Sequence, residues 1–402
     1  MPRARPHEAP PTAGLPLRLA ELLPGRADLA DRITAQLGTP PLQLECSGTA
    51  ALLLTLRVLK ARAPQRPVVV VPAYTCPLVA IAVHRAGLHL RLCDLRPGHY
   101  DMDPQALTAA CREDTLAVLP THLAGRVADV DTAVAAARQA GAWVIEDAAQ
   151  ALGARDRGAS VGLRGDVGFF SLAAGKGLSI YEGGLLLARD AQLREALQRA
   201  HAGVPRNFGW ELRRSLELLG LAALYRPRGL ALAYGRPLRA ALRRGDPVAA
   251  VGDDFAPAIP FHRVGAWRRA VGAHAAARLP AFLEALAAQA QARVPRLQRI
   301  EGVHVFADPP GAQGTWPFLL LRLPDARTRD AALDRLWTAG LGVSRLFIHA
   351  LPDYAYLADR VPRQDTPNAR DFAARTLTIS NSPWLDDAGF ETICRTLEGV
   401  LA

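Results

Sequence analysis

The chain keeps a lysine at position 176 although nearly all its other basic residues are arginines. Among 48 lysines and arginines in 402 residues, only Lys60 and Lys176 are lysines. Gly175 and Gly177 flank Lys176 in the stretch SLAAGKGLSIYEGG, so the backbone can bend closely around a flat ligand. Burial lowers the proton affinity of an amine, and an uncharged lysine attacks carbonyl carbons. Lys176 is therefore a candidate nucleophile that forms a Schiff base with an aldehyde.

Nucleotide phosphate loops also contain a lysine in a glycine-rich stretch, but their pattern is not met here. The pattern G-x-x-x-x-G-K-[ST] requires a glycine where this chain has Phe170 and a hydroxyl residue where it has Gly177. The stretch around Lys176 therefore indicates carbonyl chemistry rather than binding of a nucleoside triphosphate.

An aldehyde cofactor such as pyridoxal 5′-phosphate makes two further demands on the sequence. Its protonated pyridine nitrogen needs an acidic partner, and Asp147 ends the apolar stretch AWVIED, where a parallel sheet presents residues to a ligand. Its phosphate needs a cradle. Ser47, Gly48 and Thr49 lie at a predicted strand-to-helix turn, where amide groups and the helix dipole favour an anion. The sequence thus supplies a candidate for each demand.

Each of these features also has a simpler interpretation. The turn at Ser47 can be a helix N-cap, Asp147 can be a capping residue or half of an ion pair, and Lys176 can be a solvated loop lysine. What favours the cofactor is the order along the chain: a phosphate turn, an acid at a strand end, then a lysine after another strand.

The elements that must position these residues follow from the apolar pattern of the first two thirds of the chain. Short apolar runs alternate there with alanine- and leucine-rich helical stretches at 50–60, 77–87 and 128–141. The runs predict strands at 41–46, 67–73, 88–94, 116–120, 142–148, 167–172 and 184–189. This alternation predicts an α/β fold with a large, mainly parallel sheet covered by helices.

The pattern changes after residue 265. One long alanine-rich helix is predicted over 266–299. It is followed by predicted strands at 315–323 and 374–380 and by helices near 327–339 and 386–400. We therefore predict three parts, namely an N-terminal arm at 1–24, a large domain at 25–265 and a smaller C-terminal α+β domain at 266–402.

Cysteine usage and hydropathy limit where the protein works. The five cysteines are scattered, with no Cys/His cluster spaced for a metal ion, so we expect reduced thiols and no metal. No secretory signal or membrane-spanning run is apparent. We expect a cytoplasmic protein that is soluble or lies at the inner membrane surface.

The positive charge is concentrated in one stretch, residues 206–244, which we call the arginine-rich segment. It has nine arginines and two acidic residues, a net charge of +7 out of +10 for the chain. Apolar and aromatic residues interleave with the arginines, as in helices at an anionic membrane interface. Packing of amphipathic helices on the large domain or on another subunit requires the same pattern, and it is the interpretation that we favour. Because the stretch is aliphatic and has no recognition motif, we expect no nucleic-acid partner.

The chain resembles the DegT/DnrJ/StrS family of pyridoxal-phosphate aminotransferases in six ordered blocks. The blocks are CSGTAALLLTL, VVVPAYTCP, PTHLAGRVADVD, VIEDAAQALGA, GDVGFFSLAAGKGLSIYEGGLLLARD and GVSRLFIHALPDYAYL. The resemblance is specific over about 44–190 and weak beyond. It implies the fold-type-I arrangement of pyridoxal-phosphate enzymes, with a large sheet domain, a small C-terminal domain and an active site completed in a homodimer.

The resemblance also implies roles for the residues at matching positions. Lys176 would bind the cofactor and then move a proton, and Asp147 would pair with the pyridine nitrogen. Gln150 would lie near the cofactor ring and its hydroxyl. The predicted phosphate contacts are Gly48, Thr49 and Ser171, with Ser47 beside them in the same turn. His122 and Arg345 are candidate substrate-binding residues, although a neutral core histidine is an equally good interpretation of His122.

Two positions depart from the family pattern. Cys76 stands where the family usually offers an aromatic ring to stack on the cofactor, and Tyr74 could supply one if its strand continues that far. The family's Asn-Tyr-Arg block, which reaches a neighbouring subunit's cofactor phosphate, corresponds here to PFHRVG at 260–265. Arg263 keeps the charge there, whereas the asparagine is missing.

The resemblance implies transfer of an amino group, commonly from glutamate, to a keto group of a nucleotide-activated sugar or a related glycan or secondary-metabolite precursor. Two alternatives stay open. Sugar dehydratases of the same fold replace the lysine by histidine, so Lys176 favours transamination. A regulatory or scaffold protein that binds the cofactor without turnover is favoured by Cys76 and by the missing asparagine.

Overall fold

A seven-stranded sheet dominates the first half of the chain in the computed structural model, which describes residues 7–402. Residues 1–6, the start of the predicted N-terminal arm, lie outside the described residues. Within residues 7–402 the strands are β1 (Gln43–Glu45), β2 (Val68–Pro72), β3 (His89–Cys93), β4 (Thr115–Val118), β5 (Trp143–Asp147), β6 (Arg155–Asp156), β7 (Ala159–Ser160), β8 (Val167–Ser171), β9 (Gly184–Ala188), β10 (His304–Val305), β11 (Ala312–Gln313), β12 (Phe318–Arg322), β13 (Val343–Ser344) and β14 (Thr376–Ser380).

The large sheet is mainly parallel, as predicted. Its strand order is β1-β9-β8-β5-β4-β2-β3. The pairs from β3 to β8 are parallel, and β9 pairs antiparallel with both β8 and β1. All residues of β2 are buried, because helices cover both faces of a parallel sheet. The predicted α/β fold class is confirmed.

Helices follow the predicted alternation and begin at polar capping residues. Asp28, Asp103 and Asp129, for example, each accept an amide N–H in the first turn of the helix that follows. The α-helices of residues 7–402 are α1 (Leu29–Leu37), α2 (Gly48–Arg62), α3 (Pro77–Arg85), α4 (Pro104–Ala110), α5 (Val130–Ala140), α6 (Ala191–Ala202), α7 (Phe208–Leu224), α8 (Pro227–Leu230), α9 (Arg236–Arg243), α10 (Pro247–Val251), α11 (Ala266–Ala276), α12 (Leu279–Gln298), α13 (Ala326–Leu336), α14 (Pro367–Arg375) and α15 (Asp387–Leu401).

The C-terminal part forms a second, smaller sheet. Its strand order is β10-β12-β14-β13, and all three pairings are antiparallel. Side chains of α13 and α15 share a core with β12 and β14. The predicted small α+β arrangement is thus present.

The predicted helix over 266–299 is wrong, because the structure has two helices there. The chain leaves helical register after Ala276 and re-enters at Leu279, with Pro280 in the first turn of α12. Between them, the Arg278 guanidinium pairs with Glu21 at 2.6 Å and also donates to the Pro16 carbonyl. Helix α11 packs on α1. The division into domains at residues 265 and 266 stays a prediction.

The arginine-rich segment folds into helices α7, α8 and α9, with a π-helical turn at Ala231–Gly235. Its Tyr225 hydroxyl accepts the Gly14 amide at 2.9 Å and donates to the Thr12 carbonyl. The segment is therefore tied to the N-terminal residues. No helix within residues 7–402 is long and apolar enough to cross a membrane.

Candidate active site

Eight of the ten predicted site residues line one cavity of about 370 Å³. The cavity lies where neighbouring parallel strands end, since Asp147 ends β5 and Ser171 ends the adjacent β8. Brought together there are Gly48, Thr49, His122, Asp147, Gln150, Ser171, Lys176 and Arg345. In open α/β sheets, ligands bind at this edge, where the carboxyl ends of the parallel strands lie.

Lys176 sits in a tight loop between β8 and β9. Gly175 has a φ of +81°, the left-handed conformation that glycine adopts without strain, so glycine lets the loop turn sharply just before the lysine. The Thr12 hydroxyl donates to the Gly175 carbonyl at 2.6 Å, and the Leu15 amide donates to the Gly177 carbonyl at 2.9 Å. The N-terminal residues therefore hold the lysine loop in place.

The charge state of Lys176 is shifted by its surroundings. Burial lowers its pKa below the usual lysine value, and the nearby Asp147 carboxylate and Cys76 thiol only partly oppose this. A larger fraction of the side chain is therefore the free amine near neutral pH than for a solvated lysine. This is the protonation state that attacks a carbonyl carbon.

Asp147 is buried at the cavity wall. Its Oδ1 accepts the Ala149 amide at 3.0 Å. Burial raises the pKa of the carboxyl group, against the effects of the Ala149 hydrogen bond and of the Lys176 charge. A cationic partner in the cavity would offset the cost of burying this carboxylate.

The three predicted phosphate-binding residues at the start of α2 differ in their positions relative to the cavity. Ser47 is the N-cap, and its hydroxyl accepts the Ala50 amide at 3.0 Å. It is not among the cavity-lining residues of the described chain, so the prediction that Ser47 contacts the cofactor is corrected to a capping role. Gly48 and Thr49 do line the cavity. A Cβ atom on Gly48 would lie 3.3 Å from the Ser171 Cβ, so glycine keeps this cradle open.

Tyr74 is not at the cavity wall, because β2 ends at Pro72 and the strand alternation stops before it. The ring is buried against Phe347 and Phe372, at centroid distances of 5.6 and 5.1 Å. Its hydroxyl donates to the Phe347 carbonyl and accepts the Phe347 amide. The predicted stacking role is therefore corrected to a core role. Cys76 lines the cavity instead, and burial raises the pKa of its thiol to about 12.

The two candidate substrate residues differ in their hydrogen bonds. His122 Nδ1 accepts the Ala128 amide at 3.1 Å, and Nε2 lies 2.9 Å from Glu146 Oε2. Both ring nitrogens are thus used inside the protein, which favours the core interpretation of His122. Arg345 donates from Nη2 to the carbonyls of Ile348 and Ala373. Burial lowers the pKa of Arg345 to about 10.

The Glu146 carboxylate links His122 to the loop that contains Gly162 and Gly165. It is buried and accepts three hydrogen bonds, from His122 and from the amides of Gly162 (2.8 Å) and Gly165 (2.6 Å). Burial opposes ionisation of the carboxyl group, but these three donors lower its pKa below the usual glutamate value.

We expect Glu146→Gln to lower the free energy of unfolding at pH 7 by about 3 kcal/mol, because the amide NH₂ would face an N–H donor in a buried site. The wild-type pKa is lower in the folded state, so the stability from Glu146 is present above its ordinary pKa of about 4.3. It is lost as the pH falls further, through the folded pKa. Urea unfolding at several pH values measures this difference, which should shrink in acid.

Glu195→Gln is the matched control, since Glu195 pairs with Arg199 on an exposed helix surface. Exposed pairs of this kind contribute little to stability. An equal loss of stability in both variants would contradict the role of Glu146.

Two stretches of the cavity wall were missed by the sequence prediction. The N-terminal residues Pro11–Ala13 line it, as do Val251–Asp253 and Phe255 just after the arginine-rich segment. Asp253 is held by Tyr354, whose hydroxyl donates to Oδ2 at 2.6 Å. No local pattern marks these residues, because only contacts between distant parts of the chain bring them to the cavity.

Comparison with known proteins tests the predicted resemblance to an aminotransferase family. Residues 31–218 match the sequence model of the DegT/DnrJ/EryC1/StrS aminotransferase family. Protein MosB of Rhizobium meliloti is 39% identical over 152 residues, which are 38% of this chain and 30% of that protein. UDP-N-acetyl-3-dehydro-α-D-glucosamine 3-aminotransferase of Acidithiobacillus ferrooxidans is 36% identical over 166 residues, or 41% of this chain and 43% of the relative. The chain thus spans less than half the length of either relative.

Solved structures show the same fold over nearly the whole chain. Spr1654 from Streptococcus pneumoniae, solved in its PLP-form, superposes with a TM-score of 0.73 at 19% identity, covering 98% of each chain. This likeness establishes the fold-type-I architecture that the sequence predicts. The family match confirms the predicted resemblance: residues 31–218, less than half of this chain, match the sequence model of the DegT/DnrJ/EryC1/StrS aminotransferase family.

Proposed function

We propose that the protein is a pyridoxal-phosphate-dependent aminotransferase that moves an amino group from glutamate to a keto group of a nucleotide-activated sugar or a related precursor. The observation that carries the proposal is the convergence of Lys176 and Asp147 on one cavity that also contains the anion-binding turn at Gly48 and Thr49. The match of residues 31–218 to the sequence model of an aminotransferase family supports the proposal.

The residues of the cavity fit pyridoxal 5′-phosphate. The amides at the start of α2 have no acceptor within the helix and suit a phosphate group, and Ser171 lies beside them. Asp147 would pair with the protonated ring nitrogen, and Lys176 would bond to the aldehyde carbon. Gln150 lines the same cavity, where its Oε1 accepts the Ala124 amide at 2.7 Å, and it would lie near the cofactor ring.

Lys176 and Asp147 would divide the proton chemistry between them. When bound, the cofactor supplies an electron-withdrawing ring that stabilises negative charge at the amino donor's α-carbon. The Asp147 carboxylate would keep the ring nitrogen protonated. Lys176, as a free amine with a lowered pKa, would take the proton from the donor's α-carbon and return it to the carbon that had carried the cofactor's aldehyde oxygen. The buried walls would exclude water during this transfer.

The choice of substrates rests on two observations. A glutamate donor brings carboxylates, and the buried Nε of Arg345 at the cavity has no hydrogen-bond partner within residues 7–402, so it can donate to one. For the acceptor, the support is the Acidithiobacillus ferrooxidans relative, whose name specifies a keto form of a nucleotide sugar.

The decisive experiment follows the visible absorbance of the protein loaded with pyridoxal phosphate during addition of glutamate. We expect the aldehyde band to disappear and 2-oxoglutarate to form in equal amount. A keto sugar nucleotide added next should restore the band and leave an aminated sugar, identified by mass spectrometry.

Other outcomes of this experiment point to the alternatives. A visible absorbance band that stays unchanged with every amino donor would favour a regulatory protein that binds the cofactor. Loss of water from the sugar without gain of nitrogen would favour a dehydratase. The predicted homodimer and the cytoplasmic location stay predictions, and light scattering measures the first directly.

A further inference from the structure

The most exposed large apolar side chains of residues 7–402 all lie in two segments. Leu19 and Leu23 form one group, with Leu19 85% exposed. The other six are Phe208, Leu212, Leu216, Leu219, Leu224 and Leu232. Single exposed leucines are common, but a concentration of them in adjoining elements marks a binding surface.

Helix α7 carries four of these side chains on one face. Phe208, Leu212, Leu216 and Leu219 follow the helical spacing of three and four residues, and we call them the apolar stripe. The opposite face is the one that packs: Leu218 is fully buried, and Arg214 pairs with Glu182 at 2.5 Å. The stripe is therefore not needed to attach α7 to the protein.

The two apolar segments flank the start of helix α11. The Trp267 indole donates to the Leu22 carbonyl at 2.9 Å, and the next residue, Arg268, pairs with Glu211 of α7 at 2.5 Å. Arg226 also donates to the Leu17 carbonyl. The segment that carries Leu19 and Leu23 therefore packs close to α7.

The exposed charged residues of the arginine-rich segment itself are arginines. Both acidic residues of the arginine-rich segment are in ion pairs, Glu211 with Arg268 and Glu217 with Arg213 and Arg214. Seven of its nine arginines are exposed, namely Arg206, Arg213, Arg226, Arg228, Arg236, Arg243 and Arg244. Apolar residues bordered by arginines complement the headgroups and acyl chains of an anionic lipid layer.

We propose that the apolar stripe, with Leu19 and Leu23, docks on an anionic lipid surface. A second copy of the chain fits less well, because it would bring two segments of charge +7 face to face without opposing acids. Helix α7 would lie in the plane of the interface, and its 17 residues span about 25 Å. The arginines would extend to the headgroups while their stems cover apolar surface.

The test is co-sedimentation of the full-length, cofactor-loaded protein with vesicles. We expect equimolar phosphatidylcholine and phosphatidylglycerol to bind it at least about tenfold more tightly than phosphatidylcholine alone. About 1 M salt should weaken this binding, since it shortens the Debye length to about 3 Å. Leu212→Asp with Leu216→Asp should reduce binding at least about tenfold, because both side chains would leave the interface.

The control adds the same two charges elsewhere. Ala285→Asp with Ala292→Asp places them on exposed positions of α12 and should leave most vesicle binding intact. The proposal is overturned if the wild-type protein does not co-sediment with the anionic vesicles at low salt. A stripe variant that keeps full vesicle binding also overturns it. A stripe variant that loses self-association in light scattering, without wild-type vesicle binding, would assign the stripe to a second copy of the chain.

Discussion

Replacing Lys176 by alanine is expected to slow amino-group transfer by more than about 10⁴-fold, because the proposed mechanism uses this residue both as the nucleophile and as the proton carrier. Pyridoxal phosphate should still bind, since the α2 turn and Asp147 are unchanged, but without a covalent bond. Borohydride treatment followed by peptide mass spectrometry detects that bond, and the label on residue 176 should be absent from the variant.

The chain offers a matched control for this experiment. Lys60 is its only other lysine, and its amine donates to the carbonyls of Ala86 and Gly87. Lys60→Ala should keep the label on Lys176 and nearly all activity. If Lys176→Ala turned over at a rate near that of the wild type, the proposed mechanism would be wrong.

Asp147→Asn is expected to slow amino-group transfer by about 10²- to 10³-fold, because a neutral amide does not hold the proton on the ring nitrogen. The variant should still fold, since the side-chain oxygen of the introduced asparagine can accept the hydrogen bond from the Ala149 amide. Burial raises the pKa of Asp147, so its stabilising contribution exists below the ordinary aspartate pKa and is lost as the pH rises. At neutral pH the cofactor-free variant should therefore be at least as stable as the wild type.

Two measurements separate these effects: single-turnover rates with glutamate, and urea unfolding at pH 7 and in acid. The stability difference should vanish in acid, where Asp147 is protonated. Asp103→Asn is the control, because it removes one carboxylate while asparagine still caps α4. A variant that is both unfolded and inactive would assign Asp147 a structural role instead.

The sheet and most of the site were predictable because their signals are local. Strand runs such as 67–73 are apolar on both faces, and the residue that ends such a strand lies at the ligand edge of a parallel sheet. Asp147, Ser171 and the turn at Gly48 therefore reach one cavity, as predicted. The helix over 266–299 was mispredicted because its alanine-rich helical pattern continues across the break at residues 277–278. Pro280, in the first turn of α12, is the local signal of this break, since proline is tolerated at the start of a helix and not in its interior.

The sequence by itself determined the candidate chemistry of the site: a lysine between glycines, an acid at a strand end and a turn that favours anions, within blocks that resemble one aminotransferase family. Only the tertiary structure decided that Ser47 is a cap, that Tyr74 lies in the core and that the stripe of α7 faces outwards. It also brought Thr12 to Gly175, 163 residues away. Local propensities are encoded within a few residues, whereas burial and contact depend on which distant segments pack together.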